Sequence, residues 1–156
     1  MADTAVTIAR SKISQLSLEE QARGFSHKFH VDYSDVALGS GSTDTVTMTL
    51  GTTPTTWYVD RALVNITTAF AGTTAMTLIV GTTTTTNAFI SSTSVLTAGL
   101  IGSNITSALT NGKGTAATGL TAIFTNATGG SPSALTAGAL DIYLNIVDAG
   151  TQPSVG

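Results

Sequence analysis

No cysteine occurs in the 156 residues, so neither a disulfide framework nor a thiolate metal site is available. Stability has to come from packing, hydrogen bonding or association with other subunits. Charge is scarce too. Lys, Arg, Asp and Glu make up 10% of the chain, against roughly 25% in an ordinary soluble domain. The net charge is −3 with 6 basic residues in all, and phosphate binding needs clustered Lys and Arg that release counterions, so nucleic acid is not expected as a partner. Long apolar runs are missing as well. Nothing approaches the roughly 20 residues of a membrane span, and Met1-Ala-Asp-Thr lacks the basic start and apolar stretch of a secretory leader. The expectation is a chain made and kept in the cytosol until it is assembled, with no membrane partner.

What is present is threonine, about a fifth of the chain, with Gly, Ser, Ala and Asn filling much of the remainder. That is the mixture of pleated strands joined by tight turns. The length suits one domain with its own core. Charge is also unevenly placed: most of it precedes Arg61, and between Arg61 and Asp141 the single charged residue is Lys113. A surface of Thr, Ser, Ala and Gly gives up the charge that keeps a monomer soluble and blunts strand edges. Neighbouring subunits are expected to cover much of it.

Residues 1–25 read as an N-terminal arm with a short helix, 26–148 as a β domain and 149–156 as a C-terminal tail. In the arm, Ser17-Leu-Glu-Glu20 has the serine and the glutamate three positions on of a capping box, which predicts a helix from Leu18 to Arg23. Ala2 to Leu16 is too uneven to pack alone and reads as an extended arm ordered by a partner. From Ser26 the period becomes two, with Phe29, Val31 and Tyr33 opposite Lys28, His30 and Asp32. Val46, Met48 and Leu50 alternate with Thr45, Thr47 and Thr49. A longer strand runs from Trp57 to Phe70, with Ala62, Val64, Ile66, Thr68 and Phe70 on one side. Met76, Leu78 and Val80 follow, then Gly81 and the threonines 82 to 86 lead to Ala88-Phe-Ile90 as an antiparallel hairpin. Ser91 to Gly119 is weakly patterned, and Val95 to Ile101 and Ile105 to Leu109 read equally as short strands or ordered loop. Leu120, Ala122 and Phe124 resume the alternation, Gly129-Gly-Ser-Pro132 is a turn, and Leu140, Ile142, Leu144 and Ile146 form a strand expected to be central in a sheet. Six to nine short strands without helical crossovers predict an all-β antiparallel sandwich, preferentially a jelly roll, although an immunoglobulin-like sandwich has the same spacing.

Chemistry is thinly supplied. His27, His30, Asp32 and Asp35 fall within nine residues, but in a strand residues three apart face opposite sides, so the histidines cannot share an ion without a bulge. Metal and cofactor are not expected. Gly39-Ser-Gly-Ser42 is a turn rather than a nucleophile elbow. Asn111-Gly-Lys-Gly-Thr115 follows its lysine with Gly and opens no helix, which removes it as a phosphate loop. Carboxylates after Asp44 are limited to Asp60, Asp141 and Asp148, and no enzyme is expected. Three Asn-x-Thr triplets, at Asn65, Asn104 and Asn126, are what a threonine-rich chain produces by chance. Trp57, Tyr58 and Tyr143 are aromatic candidates for an oligomer interface in preference to a sugar-stacking platform.

The stretch from Val59 to Gly81, a strand ending in Thr-Thr-Ala-Phe that turns through Gly into Thr-Leu-Ile-Val-Gly, resembles virion proteins of tailed bacteriophages, as does Gly138-Ala-Leu-Asp-Ile-Tyr-Leu-Asn-Ile-Val-Asp148. The resemblance is to head-decoration, or cement, proteins. It implies a structural, non-enzymatic protein, often a homotrimer, that binds the capsid exterior where major capsid protein subunits meet. Capsid contact then falls to the arm, with Arg10, Lys12 and Ile13 as candidates, and the threonine-rich sheets pack subunits together. The alternative is a tail-fibre, spike or surface-adhesin domain that recognises a host glycan or receptor through loops and exposed aromatics.

Overall fold

Most of the alternating stretches become strand. In the computed structural model, which describes residues 3–7, 13–14, 16–37, 45–53, 57–102, 118–126 and 131–148, the strand Thr45–Thr53 buries Val46, Met48 and Leu50 and turns Thr45, Thr47 and Thr49 outward. Numbered along the chain, this is β4. Before it come β1 (Asp3–Thr7), β2 (Ile13–Ser14), α1 (Leu18–Ala22), β3 (His27–Asp32) and α2 (Tyr33–Val36); after it come β5 (Trp57–Ala71), β6 (Met76–Thr82), β7 (Ile90–Ser94), β8 (Gly99–Gly102), β9 (Thr118–Asn126) and β10 (Ala137–Asp148).

The strands form two five-stranded sheets, ordered β1-β4-β9-β6-β7 and β2-β3-β10-β5-β8. All pairings are antiparallel except that of β1 with β4. Inward residues of both sheets make one core, in which the Phe70 and Phe124 rings meet across the sandwich at 5.7 Å between centroids. The all-β sandwich expected from the alternation is the observed architecture. β10 is central, between β3 and β5, and β6 and β7 pair antiparallel as expected.

Several details differ from the expectation. Residues 3–7 and 13–14 of the arm are strands of the chain's own sheets, against β4 and β3. Tyr33 leaves the strand and is 37% exposed, because the Asp32 N–H donates to the Asp35 carboxylate at 2.9 Å and turns the chain into α2, which buries Val36. Thr68 faces outward: the register between β5 and β10 slips at Ala139, and this bulge leaves Thr67 and Thr68 both exposed before Phe70 returns to the core. The weakly patterned segment supplies β7 and β8, while Ile105 to Leu109 and the Asn111 to Thr115 loop lie outside the described residues.

Two buried hydroxyls, Thr73 Oγ1 and Thr121 Oγ1, have no hydrogen-bond partner among the described residues; Thr121, on β9 opposite Gly81, is the more deeply buried residue, at 3% exposed. An unpaired buried donor costs about 1–3 kcal/mol, and an isosteric apolar group removes that cost. Thr121→Val is therefore expected to raise the urea midpoint, by about 1 kcal/mol of stability; a lower midpoint would mean that the hydroxyl is satisfied in solution.

Candidate functional site

The two sheets differ in chemistry. β4, β6, β7 and β9 contain no charged residue, and the outward side chains of β4, β6 and β9 are Thr45, Thr47, Thr49, Thr77, Ile79, Ile123 and Thr125. The second sheet carries the charge on its outer face: Lys28 and His30 from β3, Arg61 from β5 and Asp141 from β10.

α1 roofs part of that outer face. Its capping box is present as expected, with the Glu20 N–H donating to Ser17 Oγ at 3.2 Å and the Ser17 N–H donating to Glu20 Oε2 at 2.7 Å. The other carboxylate oxygen reaches down to the sheet. Glu20 Oε1 accepts from Lys28 Nζ at 3.1 Å and from the Tyr143 hydroxyl at 2.8 Å. Phe25 lies against the Tyr143 ring at 5.5 Å, Arg61 sits 6.0 Å over Phe25, and the Arg61 guanidinium donates to the Arg23 carbonyl at 2.6 Å. The roof is thus held by one carboxylate, one aromatic pair and one backbone contact.

Beside it, His30 bridges two carboxylates. Nδ1 is 2.7 Å from Asp141 Oδ1 and Nε2 is 3.0 Å from Asp32 Oδ1. A neutral imidazole has one N–H, so donating to both requires the imidazolium. Asp141 Oδ2 lies 3.9 Å from Lys28 Nζ. The chain Asp32, His30, Asp141, Lys28, Glu20, Tyr143 is therefore continuous, alternating in sign from Asp32 to Glu20.

The electrostatics follow from these contacts. The Ser17 backbone N–H and the Tyr143 hydroxyl, together with Lys28, hold the Glu20 carboxyl down at about 2. The hydrogen bond to Asp141, reinforced by Asp32, raises His30 against the pull of burial. Burial pulls the Lys28 ammonium down, but Glu20, Asp141 and Tyr143 outweigh it and leave it raised. Burial first, then Glu20 and Asp141, raise the Tyr143 phenol. Burial lowers His27, on the opposite face of β3.

These directions fix the sign of the pH dependence. Glu20 adds stability above its unfolded value of 4.5 that is lost as pH falls toward about 2. His30 adds stability in full below 6.5 that is lost as pH rises through its raised folded value. His27 acts oppositely, losing stability as pH falls below 6.5. Urea midpoints across pH are expected to decline on both sides, with Glu20→Gln flattening the acid limb and His30→Gln the decline above neutrality. Unchanged limbs in both variants would remove these groups as the cause.

Next to the roof, Glu20, Arg23, Phe25, Leu63, Asn65, Leu100 and Tyr143 line a shallow pocket of about 50 Å³, with Leu100 68% exposed. That is far below the roughly 300–1,000 Å³ of small-molecule sites. Among the described residues, no group of three or more His, Cys, Asp or Glu is placed to hold a metal ion.

Of the residues singled out from the sequence, Tyr143 is 7% exposed and belongs to the cluster. Trp57 and Tyr58 open β5 opposite Asp148 and Val147. Ile13 stands in β2 opposite Phe29, and Arg10 and Lys12 lie outside the described residues. Asn126 is buried, which removes one of the three Asn-x-Thr triplets as a surface acceptor. Lys28, His30 and Asp141 as a group were missed. The available signal was Asp141, a carboxylate between Leu140 and Ile142 in the middle of a strand whose other carboxylate, Asp148, stands at its end. No protein-family model, curated protein or solved structure matches the chain.

Proposed function

We propose that the chain is a structural protein of a virus particle, a decoration or cement protein that binds the outer surface of the capsid and stabilises the shell. The observation that carries this reading is the clustering of four uncharged strands side by side in one sheet. Four neighbouring strands offer a broad face of Thr, Ser and Ile without one ionised group, which suits cover by neighbouring subunits and is an aggregation hazard on a free monomer. The pocket beside α1 is itself too small for a substrate of ordinary size. Such a protein needs shape and contact area rather than a catalytic site, since binding only the assembled shell stabilises it by mass action.

The strand order supports a jelly-roll winding. β4-β9-β6-β7 faces β3-β10-β5-β8, and every step along the chain from β3 to β10 changes sheet except that from β6 to β7; two Greek keys lay down eight strands in this order. In this reading the major capsid protein is the partner, the protein associates with itself as a trimer through its four uncharged strands, and Arg10, Lys12 and Ile13 of the arm touch the capsid.

Electron microscopy of source particles labelled with an antibody to this chain tests the proposal. Regular label over the head is expected; label on the tail alone, or on no particle, overturns it in favour of host-surface recognition. Deleting residues 2–16 is expected to abolish capsid binding and leave the oligomer intact by light scattering. Retained binding would relocate the contact away from the arm.

A further inference from the structure

We propose that Lys28 and Asp141 form an intramolecular isopeptide bond, with Glu20 as the base, that ties the first strand of the sandwich proper to the last. The three groups are already assembled. Lys28 Nζ, the nucleophile, is 3.9 Å from Asp141 Oδ2 and donates to Glu20 Oε1 at 3.1 Å. The other Asp141 oxygen is held by His30 Nδ1 at 2.7 Å, a proton donor on the electrophile. β3 and β10 are adjacent and antiparallel, with Lys28 opposite Tyr143 and His30 opposite Asp141. The reacting pair is therefore a diagonal neighbour on one face, within reach of a long side chain. The α1 roof leaves the Lys28, Glu20 and Asp141 side chains 19%, 19% and 11% exposed, and the Tyr143 ring lies 5.5 Å from Nζ, so water has restricted access to the pair.

The step balances without any added reagent. Glu20 takes a proton from the Lys28 ammonium, and the freed amine attacks Asp141 Cγ. A Cγ–O bond breaks as His30 protonates the departing oxygen; Glu20 passes its proton on to complete the leaving water, and the second proton, shed by the nitrogen as the amide forms, restores the His30 imidazolium. One amide forms and one water leaves: the ammonium loses two protons and the carboxylate one oxygen. Nothing is oxidised or reduced. Because Glu20 is held as a strong acid, passing a proton to it is uphill, and the bond is expected to accumulate over days after folding rather than during synthesis.

The consequence would be a covalent ring enclosing more than a hundred residues of a chain that has no cysteine. A cross-link of this span acts like a long-loop disulfide, by restricting the unfolded chain, and it cannot be reduced. The inference does not depend on the capsid reading.

Intact-mass measurement and a tryptic map of the wild-type protein, held at neutral pH for days, decide it. The expected result is a species lighter by one water and a branched peptide joining Gly24–Arg61, uncut at Lys28, to Gly114–Gly156. The loss of water alone does not suffice, because an aspartyl succinimide gives the same mass; the branched peptide is the readout. It should be absent in Lys28→Arg and Glu20→Gln. In Asp141→Asn the same peptide should form with loss of ammonia. Wild-type protein that keeps its full mass and yields Gly24–Lys28 and Gly114–Gly156 as separate peptides overturns the proposal, whatever the variants do.

Discussion

Phe124→Ala is expected to destabilise the protein by about 3–5 kcal/mol, the usual cost of removing a buried aromatic ring. Phe124 is fully buried on β9, in register with Val46 of β4 and Leu78 of β6, and its ring meets Phe70 of the other sheet at 5.7 Å. Truncation therefore leaves a cavity where the two sheets touch, and the rigid strands on either side cannot collapse into it. Chemical denaturation of the variant should show a lower midpoint with an unchanged slope. A loss below about 1 kcal/mol would mean that the sheets close over the gap, and that the sandwich is more loosely packed than its core residues indicate.

The second large effect is at a turn. Gly72 follows β5 with φ +105, in the region that side chains rarely adopt, and a Cβ built there would stand 2.2 Å from the Ala134 carbonyl oxygen and 2.9 Å from the Leu135 Cα and the Thr136 nitrogen. Those neighbours are backbone, in the segment that leads from the 3-10 turn Pro132–Ala134 into β10 and is fastened by the Thr136 N–H to the Ala71 carbonyl at 2.9 Å. Gly72→Ala combines dihedral strain with a clash that no rotamer relieves, and is expected to cost roughly 2–4 kcal/mol. Gly102→Ala is the matched control, since nothing among the described residues lies within 4 Å of its added Cβ and its φ is not positive. Equal melting temperatures for the two variants would show that the segment before β10 yields easily.

Strand positions were legible because burial on one face of a pleated strand leaves a period of two in the sequence. Val46, Met48 and Leu50 against their threonines needed no tertiary information, and neither did the α1 cap, which is local to Ser17 and Glu20. Where local chemistry competed with the pattern, the pattern misled. Tyr33 continued the alternation, yet the Asp32 and Asp35 pair turned the chain. Thr68 kept the period, but a bulge reversed its direction. The arm lacked a stripe of its own, and what orders its two short segments is backbone pairing to strand edges, which side-chain composition does not encode.

The candidate site was hidden for a different reason. His30 and Asp141 are 111 residues apart and Glu20 and Tyr143 are 123 apart, so no motif or spacing joins them. They meet because β10 lies against β3 and α1 folds over both. The sequence by itself determined the β class, the turns, the capped helix and the scarcity of charge, since each follows from residue type within a few positions. Only the tertiary structure decided which strands share a sheet, that the uncharged strands lie together on one side, and that Lys28, Glu20 and Asp141 converge. Those outcomes depend on how each sheet finds a partner for its apolar face, a choice made by the whole core.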